Sequence, residues 1–378
     1  MRIYFDNAAT TPLDPAVFEA MKPYMLDHFG NPSSIHAHGR EVRSAIERSR
    51  KKVADLLNTS PAEIFFTSGG TEADNTALRC TVDDMGIKHI ITSKIEHHAV
   101  LHTVQLLEKQ KKVDVSYVRT DNKGNIDSDH LTELIGNGED TLVSLMHGNN
   151  EVATLNDLEE IGNICKETGA LFHSDTVQTM GHYKHDLQKL PVDFMVGSAH
   201  KFHGPKGIGF LYVNHNQKIN PFIHGGAQER NMRGGTENVY GIIGLAKALE
   251  LAYEEMEDHR NHILGLKKRM IEKIKDIPGV DFNGMSGDTD NSLYTVLNVS
   301  LPESDDNDML LFNLDINGIS VSGGSACSSG SSIGSHVLTA LGVSSERGAI
   351  RFSFSRQNTQ DEVDYTVEKL NEVLSVGV

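Results

Sequence analysis

The sequence predicts an α/β protein with a mostly parallel sheet covered by helices, followed by a smaller α+β unit. Short apolar runs alternate with helical stretches between roughly residues 15 and 255, as in sheets built from strand–helix–strand units. The predicted strands of this sheet are Glu63–Thr67, His89–Thr92, Val115–Val118, Leu142–Met146, Leu171–His173, Phe194–Val196 and Ile208–Val213. Farther along, Ser292–Val299, Ile319–Val321 and Ile350–Phe354 are strand-like, with helices between and after them.

The order of these elements divides the chain into three parts. Residues 1–14 form an extended N-terminal segment, residues 15–258 a large domain, and residues 259–378 a small C-terminal domain. In the large domain, Arg40–Leu57 carries apolar residues at helical spacing and predicts an amphipathic helix. The helical pattern of Val239–Lys275 predicts the connector that leads out of this domain.

Composition excludes several classes of protein. The formal net charge of -17 repels phosphate backbones and anionic membranes, so nucleic acid is not an expected partner. The start of the chain has no apolar run behind basic residues, and no stretch of about 18 apolar residues follows, so neither a signal peptide nor a membrane span is expected. The three cysteines, Cys80, Cys165 and Cys327, fit a reduced cytoplasm.

The segment SAHKFHGPKGIG places Ser198, His200 and Lys201 at the end of a predicted strand. A lysine in this position can form a Schiff base with an aldehyde cofactor, and its hydroxyl and imidazole neighbours can bind a phosphate. Taken alone, the segment is explained equally well as a surface turn.

A glycine-rich turn and a helix start follow the first strand of the sheet in FFTSGGTEADN. The backbone N–H groups of Gly70 and Thr71 would point at an anion there, and the helix dipole would favour it. Taken alone, this segment is better explained as an ordinary turn in which Thr71 caps the helix.

Asp175 and Gln178 follow another apolar strand in FHSDTVQ. A carboxylate here could pair with the protonated pyridine nitrogen of pyridoxal phosphate, which keeps the ring an electron sink, and Gln178 could hydrogen-bond the ring hydroxyl. The alternative is an aspartate that caps the next element.

His97 in SKIEHHAV and Asn150 in HGNNEV also come after predicted strands. An imidazole can stack on a flat ring and transfer protons, although adjacent histidines are more often structural. In open α/β sheets, ligands bind in the crevice outside the carboxyl ends of the strands. These segments, which all follow strands, together predict one site at that edge of the sheet.

Cys327 lies in VSGGSACSSGSSIGS, where small, flexible residues surround it on both sides. A buried structural cysteine normally has apolar neighbours, so this setting predicts an exposed and mobile thiol, whose activation must come through space because no cation is adjacent in sequence. Cys80 and Cys165 lie in helical patterns and are expected to be packing residues.

Arg351 lies in AIRFSFSR, a predicted strand of the small domain. The planar guanidinium fork is the usual partner of a carboxylate, so Arg351 is the first candidate to bind a substrate carboxylate and Arg356 the second.

These motifs resemble those of the cysteine desulfurases, the NifS/IscS branch of the class V aminotransferase superfamily, which have the pyridoxal-phosphate (PLP) fold type I. The resemblance runs nearly end to end, in the family's order and spacing, through YFDNAATTP, FGNPSSIH, TSGGTEADN, EHHAV, NNEVAT, SDTVQ, SAHKFHGPKGIG, ERNMRGGTEN, SGGSAC and IRFSFSR. It departs from the family at His203, where tyrosine is common, and at Ala227 and Asn231, where glycines are common.

The resemblance implies pyridoxal 5'-phosphate as the cofactor, with Lys201 as its covalent attachment. His97 would stack on the ring and act as acid and base, Asp175 would pair with the pyridine nitrogen, and Gln178 with the ring hydroxyl. The residues implied to hold the phosphate are Gly70, Thr71, Ser198 and His200, together with Thr236 reaching across from the other subunit of a homodimer.

The resemblance also implies the reaction. L-cysteine would be the substrate, Asn150 and Arg351 would fix its carboxylate, and Cys327 would accept its sulfur as a persulfide. The products would be alanine and a sulfur that passes to an acceptor protein, either an iron–sulfur scaffold or another sulfur carrier.

Three alternatives remain open at this point. A selenocysteine lyase would share nearly all of these residues. A same-fold aminotransferase needs no cysteine, so the flexible setting of Cys327 argues against it. A non-catalytic partner subunit would be expected to have lost the lysine or the cysteine, and Lys201 and Cys327 are both present.

Overall fold

The computed structural model describes residues 2–323 and 334–376. The strands are β1 (Ile3–Tyr4), β2 (Ile64–Thr67), β3 (His89–Thr92), β4 (Asp114–Tyr117), β5 (Thr141–Ser144), β6 (Leu171–Asp175), β7 (Phe194–Ser198), β8 (Gly209–Val213), β9 (Asp281–Phe282), β10 (Val296–Glu303), β11 (Ile319–Ser320) and β12 (Arg347–Ser353). The helices are α1 (Pro15–Leu26), α2 (Ala37–Leu56), α3 (Gly70–Met85), α4 (His98–Lys109), α5 (Ser128–Ile135), α6 (Leu158–Thr168), α7 (Val239–Glu254), α8 (Met256–Ile274), α9 (Leu310–Ile316), α10 (His336–Ala340) and α11 (Gln360–Val376).

The largest sheet has the strand order β2-β8-β7-β6-β5-β3-β4. Neighbouring strands from β7 to β4 are parallel, whereas β8 runs antiparallel to both β2 and β7. The residues of β5, β7 and β8 are buried throughout, as expected for strands covered by helices on both faces. The predicted α/β class with a mostly parallel sheet is therefore confirmed, and each predicted strand of this sheet is present within two residues of its expected ends.

Two sequence expectations about element boundaries are wrong. The helical pattern of Val239–Lys275 forms two helices, α7 and α8, because the backbone leaves the helical conformation at Glu255, with φ -110° and ψ 16°. The strand expected at Ser292–Val299 begins only at Val296, since the preceding residues form a turn, and it continues to Glu303.

One hydrophobic cluster surrounds the large sheet, and a separate one lies around the three-stranded sheet β12-β10-β9 and the helices α8 and α11. Ile3 and Phe5 of the N-terminal segment are buried in this cluster, and β1 pairs in parallel with β11. The start of the chain is therefore packed against its C-terminal third. The domain boundaries at residues 14 and 258 stay a prediction.

In the part of the chain that the structure describes, no helix combines the length and apolar character needed to cross a membrane.

Candidate active site

A cavity of about 420 Å³ opens where the strands β6 and β7 end. Ten of the residues that the sequence predicts for the site line this cavity, namely Gly70, Thr71, His97, Asn150, Asp175, Gln178, Ser198, His200, Lys201 and Arg351, whereas the second-choice Arg356 does not. The parallel strands bring these side chains together because each segment follows the carboxyl end of its strand. Their individual roles stay predictions.

The two remaining predicted site residues are Thr236 and Cys327. Thr236 is exposed and lines a separate small groove together with Ser68 and Arg233. Cys327 lies outside the described residues. The expectation of a mobile setting for Cys327 therefore stays a prediction as well.

Lys201 stands on a single helical turn, Ala199–Lys201, that directly follows β7. Its Nζ donates to the carbonyl oxygen of Ala8 at 2.5 Å and to that of Ala9 at 2.9 Å. The amine is therefore held in the cavity by the N-terminal segment.

Asp175 is the last residue of β6 and is buried. Burial raises the pKa of Asp175, while the Val177 N–H, which donates to its Oδ1 at 2.9 Å, and the nearby Lys201 act in the opposite direction. Gln178, three residues on, donates from Nε2 to the Ala8 carbonyl at 3.0 Å. A buried carboxylate in the cavity lining is the partner that a protonated ring nitrogen requires.

His97 caps the N-terminus of α4 and lines the cavity with its ring. Its Nδ1 accepts a hydrogen bond from the Ala99 N–H at 3.1 Å, so the proton of the neutral ring resides on Nε2. Burial, together with the charge of Lys201, lowers the pKa of His97 to about 4. The ring is therefore uncharged at neutral pH and suited to stacking and to hydrogen-bond donation.

The N-terminus of α3 provides a cradle for an anion. The residue before it, Gly69, makes no side-chain cap, whereas α4, α5 and α6 are capped by His97, Asp127 and Asp157. A Cβ on Gly70 would meet Cγ2 of Val177 at 2.8 Å, so only glycine fits this close approach. Uncapped N–H groups and the positive end of a 16-residue helix suit a phosphate, so these residues fit the cofactor that the sequence implies.

Arg351 reaches the cavity from β12 and is almost completely buried. Its Nη2 contacts Oδ1 of Asp6 at 2.8 Å, and its Nη1 donates to the backbone carbonyl of Asn150 at 3.0 Å. Among the described residues, Nε has no hydrogen-bond partner. The guanidinium is thus fixed in place and retains a donor for a further ligand.

The residues that flank the segment 324–333 also contact this site. The Ser322 N–H donates to the carbonyl of Arg351 at 3.3 Å. On the other side, Ser335 Oγ donates to Glu151 at 2.5 Å, and His336 Nε2 lies 2.9 Å from the Glu96 carbonyl and lines the cavity. The chain therefore leaves and re-enters the described structure beside cavity residues.

Sequence reasoning missed residues that line the cavity, among them Asp74 and His336, and residues that contact its lining, among them Asp6 and Glu96. Glu96 is buried and accepts hydrogen bonds from the Met146 N–H at 3.1 Å and from Ser93 Oγ at 3.0 Å. Burial raises its pKa to about 8. For Asp74 a signal existed, because it places a carboxyl group on the buried, otherwise uncharged face of α3.

The departures from the family pattern lie outside the cavity lining. His203, which adopts φ +64°, lies with Nδ1 2.9 Å from the Pro12 carbonyl. Asn231 adopts φ +68°, a conformation that glycine reaches at least cost and asparagine tolerates.

Comparison with known proteins places this geometry in a family. The family described as Aminotransferase class-V matches residues 3–366. A protein of Methanosarcina thermophila described as "Cysteine desulfurase IscS" is 47% identical over 378 residues, which cover 98% of this chain and 92% of the relative.

Solved structures agree with this relationship. A structure described as a NifS-like protein superposes with a TM-score of 0.91 at 40% identity, covering 100% of both chains. Another, described as "SspA in complex with cysteine", superposes with a TM-score of 0.80 at 34% identity and covers 95% of this chain and 100% of that one. The cofactor of the family is pyridoxal phosphate. The chain belongs to the class-V aminotransferase family and, within it, to the cysteine desulfurases of the NifS/IscS type.

Proposed function

We propose that the enzyme converts L-cysteine to L-alanine and holds the released sulfur as a persulfide on Cys327. The observation that carries this proposal is the cavity that unites Lys201, Asp175 and Arg351 and is bordered by the residues on both sides of the Cys327 segment. The solved relative whose description names cysteine as its ligand supports the choice of substrate.

The cofactor would be held by the residues that line the cavity floor and walls. Gly70, Thr71, Ser198 and His200 would bind the phosphate, Lys201 would attach the aldehyde carbon, and Asp175 and Gln178 would bind the ring nitrogen and hydroxyl. When bound, pyridoxal phosphate supplies a ring that stabilises negative charge at the substrate Cα.

Lys201 and His97 are the residues that move or hold protons. The amine of Lys201, positioned by the Ala8 and Ala9 carbonyls, removes the Cα proton of cysteine. His97, neutral and protonated on Nε2, stacks on the ring and donates a hydrogen bond. Asn150 and Arg351 hold the substrate carboxylate, so that the Cα–H bond faces the amine.

Sulfur transfer requires a thiolate. The thiolate of Cys327 attacks the sulfur of cysteine, an S–S bond forms, and the Cβ–S bond of the substrate breaks. The electron pair of that bond stays with the carbon skeleton, which takes up a proton and leaves as alanine. The sulfur is thereby oxidised to the sulfane state while Cβ is reduced, so no external oxidant is needed.

The reaction is tested by adding L-cysteine and a thiol reductant to the purified enzyme and measuring alanine and sulfide. We expect the two products in equal amounts. Parallel assays with L-selenocysteine test the alternative of a selenocysteine lyase, which would turn over selenocysteine and leave cysteine unchanged. Formation of 3-mercaptopyruvate together with a new amino acid from an added keto acid would instead identify an aminotransferase.

Replacing Arg351 by alanine is expected to raise KM for cysteine and to lower kcat/KM at least about tenfold. A hydrogen bond between charged groups contributes about 1.5–3 kcal/mol, and its loss also misaligns the substrate. Steady-state kinetics of alanine formation measure the effect. Asp6→Asn is the matched control, because it removes the ion-pair partner of Arg351 and keeps the guanidinium. An unchanged kcat/KM would move the role to Arg356, which is bound to Asp14.

We also propose that the enzyme is a homodimer with shared active sites. In support, Thr236 is exposed and lies outside the cavity of its own chain. Exposed apolar side chains occur on α1 and on the loop that follows it, with Phe29 76% and Ile35 90% exposed. Large exposed apolar groups of this kind mark association surfaces.

Sedimentation equilibrium at micromolar concentration is expected to show a dimer. The double variant Phe29→Glu/Ile35→Glu should shift toward monomer and lose activity, because charges would be buried at the interface and the cofactor site would lack the residue of the other subunit. The matched control is Phe312→Glu/Ile316→Glu, whose apolar side chains are exposed on α9, and it should stay dimeric. A fully active monomer of the parent protein would contradict the proposal.

The expected recipient of the sulfur is an acceptor protein, either an iron–sulfur scaffold or another sulfur carrier, and the expected location is the cytoplasm. The curated relatives described as IscS support an acceptor protein as the recipient. The buried thiols of Cys80 and Cys165, which form no disulfide, support the cytoplasm as the location. Recovery of the acceptor with the enzyme from native cells, followed by transfer of labelled sulfur, tests the acceptor, and fractionation of the same cells tests the location.

A further inference from the structure

Three buried polar side chains, those of Ser144, His173 and Asp74, form a row that ends at the cavity lining. Ser144 of β5 and His173 of β6 are paired in the sheet register, and Ser144 Oγ lies 2.8 Å from Nδ1 of His173. On the other side of the ring, His173 Nε2 lies 3.3 Å from Oδ1 of Asp74 without meeting hydrogen-bond geometry, and neither atom has a hydrogen-bond partner among the described residues. The side chains of His173 and Asp74 are 0% and 1% exposed, so water does not satisfy them.

This row ends next to the residue that we expect under the cofactor ring. Side chains two residues apart on a strand point to the same face, so His173 and Asp175 lie on one face of β6. Asp74 is in the second turn of α3, and Asp74 and Asp175 both line the cavity. Two buried carboxyl groups therefore share one corner of the site.

Carboxyl groups that are buried in one corner do not all ionise, because each further negative charge is costly away from water and beside a like charge. The titratable groups that face this corner are His173 and Asp175 on β6, Glu96 and His97 after β3, and Lys201 after β7. Burial, followed by the charges of Asp175 and Glu96, raises the pKa of Asp74 well above its ordinary value. Burial lowers the pKa of His173 to about 3.

These directions agree with the geometry. A neutral His173 can carry its proton on either ring nitrogen; with the proton on Nδ1 it donates to Ser144 and presents the lone pair of Nε2 to Asp74. A protonated Asp74, 3.3 Å away, can then turn its hydroxyl toward Nε2, and both buried atoms gain a partner without any charge. An ionised Asp74 would require the other tautomer of His173 and would add a second negative charge beside Asp175 in the same buried corner.

We propose that Asp74 is a positioning residue, an uncharged carboxylic acid held by His173, which leaves Asp175 as the anion of this corner. The role of Asp175 toward the cofactor rests on the proposed function, whereas the contact between Asp74 and His173 does not. Asp74 would thus set the charge beneath the ring without touching the reacting atoms.

Asp74→Asn is the first test, because the amide has the same shape, carries no charge and can donate to Nε2 of His173. We expect its apoprotein to bind pyridoxal phosphate with a Kd within about threefold of the parent value. Asp175→Asn, which removes the charge that pairs with the ring nitrogen, should raise this Kd at least about tenfold. Fluorescence titration of the two apoproteins measures both values.

The pH dependence of apoprotein stability is the second test. An acid whose folded-state pKa is raised keeps its proton in the folded chain and loses it in the unfolded chain, so stability falls as pH rises from about 4 toward the folded pKa. Asp74→Asn lacks this loss, so its Tm relative to the parent apoprotein should be higher at pH 8 than at pH 5. His173→Gln keeps an acceptor for Asp74 and should retain the parent's pH dependence.

The outcomes distinguish the inference about Asp74 from the proposed function of Asp175. If Asp74→Asn fails to fold, weakens cofactor binding tenfold, or loses Tm relative to the parent as pH rises, Asp74 is charged and the inference is overturned. It is also overturned if His173→Gln abolishes the pH dependence, since the titrating group would then be His173. Parent-like cofactor binding by Asp175→Asn would contradict the proposed function alone, because the stability profile of the apoprotein still tests Asp74.

Discussion

Replacing Lys201 by alanine is expected to lower the turnover of cysteine at least about a thousandfold. A positioned general base contributes about 10²–10⁴-fold to a rate, and this variant also loses the attachment of the cofactor. The protein should still fold, because Lys201 lines the cavity and is not part of the hydrophobic core of the large sheet. Alanine formation and the visible absorbance of the purified protein measure the loss.

Lys206→Ala is the matched control for this variant. Lys206 is an exposed lysine five residues farther along the same segment, so its loss changes the net charge equally and leaves the cavity lining intact. It should remain yellow and active. Release of sulfide by Lys201→Ala at the parent rate would show that another residue binds the cofactor.

Replacing Cys327 by serine is expected to abolish persulfide formation and to lower alanine production at least about a hundredfold. Serine has nearly the same size, but its hydroxyl is a far poorer nucleophile than a thiolate toward sulfur. The variant should remain yellow and should still change its absorbance when cysteine is added, because the residues that bind cofactor and substrate are unchanged. Mass spectrometry after brief exposure to cysteine should find one added sulfur on the Cys327 peptide of the parent and none in the variant.

Cys80→Ser and Cys165→Ser are the internal controls. Both cysteines are buried, and burial raises the pKa of each thiol to about 12, so neither is a thiolate at neutral pH. Both variants should keep persulfide formation. An added sulfur on either peptide, or alanine production by Cys327→Ser at the parent rate, would show that Cys327 is not the acceptor.

The strands of the large sheet and the edge at which ligands bind could be predicted from the sequence. Buried parallel strands give apolar runs that stand out from their polar neighbours, and every polar segment that follows such a run reaches the same edge. The positions of Asp175, Ser198 and Lys201 therefore follow from local patterns. The break at Glu255 could not be predicted, because good helix formers lie on both sides and neither glycine nor proline marks it.

Contacts between distant parts of the chain could not be predicted either. The pairing of β1 with β11, and the ion pair of Asp6 with Arg351, join residues more than 300 positions apart, and no local pattern encodes such a partner. His173 lies within an apolar strand, where its partner on α3 can be found only once the helix is packed against the sheet.

The position of the N-terminal segment has a consequence for biosynthesis. Phe5 donates its N–H to the carbonyl of Ser320 and accepts from the N–H of Ser353, so Phe5 finds these partners only after more than 300 later residues have been made. The carbonyls of Ala8 and Ala9, which hold the amine of Lys201, follow directly on this segment. A nascent chain that has completed its large sheet therefore still lacks one wall of the cavity, and the cofactor is expected to find its complete site only once the strands around Ser320 and Ser353 have been made.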